Sequence, residues 1–180
     1  MGCGGLNSKI GKLEEFKKLL EKDIQDYEMY LKIKDSKISE LNSQITTEEN
    51  EIRANKHYYT KQQKIDKAKQ LMPLLFEKYR IEWLANYTRK FTDTLKFNSE
   101  LIEKKIQQMK FHRNIKKANE IASEFGKYDT EEEIKINLNT MMNEAESTKR
   151  EIELMDTGKK TISKEMGMPD IDTHLKELFS

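Results

Sequence analysis

Cysteine occurs once, at Cys3, among 180 residues. A single cysteine excludes an internal disulfide and a multi-cysteine zinc site, and a reducing compartment is expected. Proline occurs twice and glycine seven times, too little punctuation for an all-β protein or a series of βαβ units. No run of about 18 apolar residues exists, so no membrane-spanning helix is expected. No apolar h-region follows the N-terminus, so no secretory leader is expected either. There is no phosphate-cradling Gly-rich loop, no GxSxG elbow and no kinase set. His57, His112 and His174 stand far apart and lack zinc-ligand spacing. These absences leave no metal, no cofactor and no enzyme as the expectation.

What is present is charge. Charged residues make up 36% of the chain and hydrophobic residues another 36%, against roughly 25% and 45–50% in an average globular domain. That balance favours long helices with thin apolar stripes over a thick core. The net charge of +1 hides a segregation. Residues 1–117 hold 25 basic and 17 acidic side chains, or +8; residues 118–180 hold 8 and 15, or −7. The sharpest block, 52–117, has 17 basic against 6 acidic, or +11. Such a block attracts an anionic partner in a salt-dependent way. The candidates are an acidic membrane, nucleic acid or the chain's own acidic tail.

From Ile10 onward, apolar residues follow a seven-residue grid. One column reads Ile10, Lys17, Ile24, Leu31, Ile38, Ile45, Ile52; the other reads Leu13, Leu20, Tyr27, Lys34, Leu41, Glu48. Two columns held over about six heptads predict a coiled-coil seam on a helix roughly 65–70 Å long. Residues 53–66 are polar and lose the seam, which predicts a tight turn. A second grid then runs through Ile81, Thr88, Leu95, Ile102 and Met109, with Leu84, Phe91 and Asn98 beside it. Pro73 predicts either a helix start near Met72 or a kink. A short connection makes the two helices antiparallel. The expected fold is all-α, a long antiparallel hairpin over 10–125 followed by shorter acidic helices over 127–180, with 1–9 as a flexible N-terminus. Trp83, Tyr87 and Phe91 share one helix face and read as packing, so nucleic acid is not expected as a partner.

Gly126 suits a helix C-cap. Thr130 with Glu133 reads as a capping box for a helix carrying Ile134, Leu138, Met141, Met142, Ala145, Ile152 and Met155, closed by Gly158. A short helix with Ile162 and Met166, a Gly167-Met168-Pro169 linker and a last helix capped by Asp170 or Asp172 complete the chain.

The N-terminus reads Met1-Gly2-Cys3-Gly4-Gly5. Loss of Met1 would expose Gly2 to N-myristoylation, with Cys3 as a palmitoylation site, although Leu6 occupies the position where Ser or Thr is favoured. One acyl chain anchors only marginally without a second signal. Cys3 acylation or the basic segment could supply it. Within that segment Arg53, Lys56, Lys61, Lys64, Lys67, Lys69, Lys78 and Arg80 are the expected membrane-facing cations.

A Gly2 start, a long hairpin with a basic second arm and an acidic tail of short helices together resemble the ESCRT-III family of charged multivesicular body proteins. Lys67-Ala68-Lys69-Gln70-Leu71 through Lys78-Tyr79-Arg80-Ile81-Glu82 resembles the start of that family's second helix. Glu131-Glu132-Glu133-Ile134 through Met141, Asn143, Glu144 and Ala145 resembles the segment opening its fourth. The N-terminus resembles the myristoylated, polymer-nucleating branch, the charged multivesicular body protein 6 type. The resemblance spans about residues 1–156. It implies a non-enzymatic membrane-remodelling subunit, cytoplasmic and peripheral on endosomal membrane, whose acidic tail closes over the basic hairpin. The implied partners are acidic phospholipid membrane, other ESCRT-III subunits, an ESCRT-II winged-helix subunit reached through residues 10–52, and an AAA ATPase. Asp172, Leu175 and Leu178 keep part of the spacing with which family tails engage that ATPase; the bland counterpart is a short helix packed back on the hairpin. The alternative for the whole chain is a structural coiled-coil protein, a tether or a cytoskeletal or ciliary component, whose seams pair between chains.

Overall fold

The computed structural model describes residues 3–121, 133–163 and 166–180. Four helices are present among them: α1 (Cys3–Asn55), α2 (Lys61–Ile121), α3 (Leu138–Asp156) and α4 (Ile171–Phe179). A single 3₁₀ turn, Lys56–Tyr58, joins α1 to α2. No strand occurs among the described residues. The fold is all-α, and α1 and α2 pack against each other as a long hairpin.

Local chemistry explains where α2 begins. Thr60 Oγ1 accepts from the Gln63 amide at 3.1 Å, and Gln63 Oε1 accepts from the Thr60 amide at 2.9 Å. This reciprocal pair is a capping box that satisfies two amides. The expected start near Met72 is therefore wrong: α2 opens at Lys61 and runs through Pro73. Pro73 cannot donate to the Lys69 carbonyl. Both residues are exposed.

The acidic half differs more from expectation. The helix expected to include Ile134 begins only at Leu138. Asn137 Oδ1 accepts from the Thr140 amide at 3.1 Å and so fixes the start there. Gly158, at φ 76°, ends α3 as anticipated. Ile162 is buried outside any helix, while Met166 is in a 3₁₀ turn whose amide donates to the Ser163 carbonyl at 3.0 Å; residues 164 and 165, on which the short helix expected there depends, lie outside the described residues. Gly167 follows at φ 96°. Asp170 caps α4, accepting from the amides of Asp172 and Thr173. Gly2, Gly126 and Thr130 lie outside the described residues.

The chain divides into two compact units that share the long helices. Unit 1 comprises Met1–Tyr27 and Phe91–Thr148. Its core joins Ile10, Leu13, Phe16 and Leu20 of α1 to Phe91, Leu95, Ile102, Ile106 and Met109 of α2. Tyr27 meets Phe91 edge to face at 5.3 Å between centroids. Lys17, a charged residue on the apolar grid, pairs with Glu103 at 3.0 Å, which raises its pKa. Glu14 pairs with Lys110 and Asn7 with Arg113, so residue numbers fall along α2 as they rise along α1.

Unit 2 comprises Glu28–Lys90 and Lys149–Ser180. Its core cluster is Leu41, Ile45, Ile52, Leu71, Leu75 and Ile81, closed by Leu175 and Leu178 of α4. The ion pairs Glu51–Lys67 and Asp35–Arg89 repeat the antiparallel order. Thr88 of the second grid is fully buried and spends its hydroxyl on the Leu84 carbonyl at 2.7 Å, inside its own helix. The grids therefore mark the buried face; the charged members Lys17, Lys34 and Glu48 are half-buried, and the two lysines reach the counterions Glu103 and Asp156.

Candidate functional site

Within unit 2 the C-terminal segment is strapped along the hairpin by contacts of several kinds. Asp156, at the end of α3, receives Lys34 Nζ at 2.8 Å and the Tyr30 hydroxyl at 3.1 Å. Glu151 accepts from the Tyr87 hydroxyl at 2.8 Å and pairs with Lys160 at 2.8 Å. The Lys160 ammonium, then the Tyr87 hydroxyl, hold the Glu151 carboxyl below its ordinary range. Burial, then the bond to Glu151, pushes the Tyr87 phenol up to about 12. Arg80 binds Glu77 through two nitrogens, at 2.8 and 3.1 Å, and donates to the Met155 carbonyl at 3.2 Å. Glu77 thereby holds the guanidinium in place and Arg80 lowers the Glu77 pKa. The Trp83 indole, stacked on Tyr87, donates to the Met166 carbonyl.

The strap ends in α4. This nine-residue helix buries Leu175 and Leu178 while His174 Nε2 meets Glu49 Oε1 at 2.7 Å. Lys56 Nζ donates to the Ser180 carbonyl at 2.6 Å. Asp172 stays exposed. The three residues expected to engage an ATPase are thus placed unequally: Leu175 and Leu178 face the core cluster of unit 2, and Asp172 faces solvent.

The eight expected membrane-facing cations are not equivalent. Lys56 and Arg80 are committed to the strap. Arg53 pairs with Glu49 one turn back on α1. Lys67 pairs with Glu51 at 3.2 Å, which raises its pKa. Lys78 lies over the Tyr79 ring at 5.4 Å. Lys61 and Lys69 are exposed, Lys64 is half-buried, and none of the three has an ion pair among the described residues. Of these eight, the cations without an ion pair among the described residues that stay clear of a ring therefore lie on the first turns of α2. The side chain of Cys3 lies outside the described residues, as does Gly2.

Unit 1 contains a second feature that sequence reasoning missed, a trough of about 470 Å³. Leu6, Leu13, Met109, Ile136 and Leu138 supply its apolar lining. Lys9 and Lys12 of α1 and Lys105, Gln108 and His112 of α2 supply its polar rim with Glu133. Lys105 Nζ binds Glu133 at 2.7 Å, and Gln108 Oε1 accepts from the Ile134 amide at 3.0 Å. These two bonds hold 133–136 as a third wall. The Lys105 ammonium keeps the Glu133 carboxyl below its ordinary range. No spacing rule reveals such a site, because its third wall is irregular backbone.

No helix among the described residues is long and apolar enough to cross a membrane. No protein-family model, curated protein or solved structure matches the chain.

Proposed function

We propose that the chain is a non-enzymatic membrane-remodelling subunit of ESCRT-III type, which binds acidic endosomal membrane and nucleates filaments for multivesicular body sorting and scission. One observation carries this reading: a long helical hairpin presents a lysine cluster, Lys61, Lys64 and Lys69, without an ion pair among the described residues, next to a C-terminal segment held by separable contacts. A face of this kind suits a phospholipid leaflet, where each lysine near the surface is worth about 1 kcal/mol. Acylation of Gly2 or Cys3 would supply the second anchor. Release of α4 would free Leu175 and Leu178, beside Asp172, for an AAA ATPase. Other ESCRT-III subunits, and an ESCRT-II winged-helix subunit on α1, complete the proposed partners. The structural coiled-coil alternative needs its seams for other chains; here Tyr27 meets Phe91 and Asp35 meets Arg89 within one chain, which favours the first reading.

Co-sedimentation with phosphatidylserine vesicles tests it. Replacing Lys61, Lys64 and Lys69 together with Ala removes about 3 kcal/mol of attraction, roughly a 100-fold loss of affinity at low salt. Unchanged binding, or wild-type binding indifferent to salt and lipid charge, refutes the membrane role.

A further inference from the structure

The trough of unit 1 has a composition that neither the strap nor the lysine cluster uses. Leu6, Lys9 and Leu13 share one face of α1, while Met109 and His112 share one face of α2. Leu13 and Met109 are buried and form the floor; Leu6, Ile136 and Leu138 are half-buried and form the sides. The volume of about 470 Å³ falls within the roughly 300–1,000 Å³ of small-molecule pockets. An apolar lining with a few convergent polar groups is the usual composition of such pockets.

The rim decides the chemistry. Lys105 and Glu133 neutralise one another, and Gln108 spends its carbonyl oxygen on the Ile134 amide. What remains is cationic: Lys9 and Lys12, one turn apart, both exposed and neither in an ion pair among the described residues. His112 adds a further nitrogen donor or acceptor on the facing helix. One apolar trough with an ammonium pair at its edge is complementary to a single-chain anionic amphiphile. The trough is too small to take both chains of a diacyl lipid, and it lacks the array of donors that a nucleotide's phosphates would need.

We infer that the trough binds one long-chain fatty acid as its carboxylate, with the hydrocarbon on Leu13, Met109, Ile136 and Leu138 and the carboxylate at Lys9 and Lys12. The inference does not rest on the membrane reading, because its residues are separate from Lys61, Lys64 and Lys69. Free fatty acid is the committed ligand; an acyl group on Gly2, an anionic head group in a bilayer and a second copy of the chain are its competitors.

Calorimetric titration of the full chain with laurate, kept below its aggregation concentration, distinguishes them. Saturation at one laurate per chain is expected. Lys9→Ala with Lys12→Ala should weaken binding at least tenfold, and these exposed positions leave the helical circular dichroism unchanged. Ile136→Asp should abolish binding, and lauryl alcohol should bind at least tenfold more weakly than laurate. The inference is overturned by lack of saturation, by equal affinity for laurate and the alcohol, or by indifference to the lysine substitutions. It is equally overturned if chain acylated on Gly2 cannot take up laurate, or if only a dimer forms and excludes it. Phosphatidylserine vesicles that need Lys9 and Lys12 while laurate does not bind would assign the rim to a bilayer, again against the inference.

Discussion

Replacing Leu175 and Leu178 with Ala should release the end of the strap while leaving the hairpin folded. Both side chains are nearly inaccessible, at 7% and 6% exposure, and both pack on the cluster formed by Leu41, Ile45, Ile52, Leu71, Leu75 and Ile81. A buried Leu→Ala change costs about 2–5 kcal/mol. The lower end applies here, because a terminal helix can withdraw and water can refill the space. The pair together costs about 4 kcal/mol, close to a 1,000-fold change in the docked-to-undocked ratio. A nine-residue helix is too short to persist without packing, so undocking also melts it. Hydrogen–deuterium exchange reads this directly: amides of 171–179 should lose protection, amides of 91–109 should keep it, and the thermal midpoint of the hairpin should move little. Unchanged exchange in 171–179 would show that the polar contacts alone hold α4. Loss of protection throughout 91–109 would show that α4 is part of one cooperative fold and no strap at all.

Two further outcomes are expected. Pro73→Ala restores an amide donor for the Lys69 carbonyl in an exposed stretch of α2, so it should stabilise the chain by about 2 kcal/mol after the loss of proline's restraint on the unfolded state; denaturant unfolding that shows destabilisation would mean that α2 needs proline there. The Tyr87 phenol, raised to about 12, should titrate last among accessible tyrosines when ionisation is followed near 295 nm. Its stabilising contribution is complete below the ordinary phenol value of about 10 and declines as pH rises through about 12, because the unfolded chain gives up that proton first. Tyr87→Phe should remove that part of the alkaline loss.

The hairpin was legible because heptad spacing encodes burial directly. Ile10, Leu13, Leu20, Leu41, Ile45 and Ile52 on one arm, and Ile81, Leu84, Leu95, Ile102 and Met109 on the other, are the residues water does not reach. The helix starts were less legible. Pro73 looked like a first-turn residue, while the deciding signal was Thr60 with Gln63 three residues on. Asn137 set the start of α3 in the same way, through the Thr140 amide. In each case short-range capping chemistry outranked the apolar pattern. Ile162 is instructive for the opposite reason: its burial comes from contact with distant chain, so no local periodicity announces it. The trough was invisible for a related cause, since Glu133 and Ile134 reach α2 through single bonds to Lys105 and Gln108.

The charge segregation invites the expectation that the acidic tail is held electrostatically, yet the contacts point elsewhere. The cations of α2 find many of their anions on α1 or on α2 itself: Lys67 with Glu51, Arg89 with Asp35, Lys110 with Glu14 and Arg80 with Glu77. Within unit 2, the described contacts from the tail to the hairpin include one Lys–Asp pair, Lys34–Asp156, and one His–Glu pair, His174–Glu49. The remaining bonds join a neutral hydroxyl to a carboxylate, as at Tyr87 and Tyr30, a neutral indole to a carbonyl, as at Trp83, or a cation to a carbonyl, as at Arg80 and Lys56. Partly exposed ion pairs contribute about 0–1 kcal/mol and are screened by salt, whereas burial of Leu175 and Leu178 is not weakened by it. Raising sodium chloride from about 0.05 to 1 M, where the screening length falls to about 3 Å, should therefore leave the exchange protection of 171–179 within about threefold of its low-salt value. The same change should strip the chain from acidic vesicles, because Lys61, Lys64 and Lys69 act through water. If instead salt opens α4 as readily as it breaks vesicle binding, charge rather than apolar burial holds the strap, and a membrane could release it simply by competing for the same lysines.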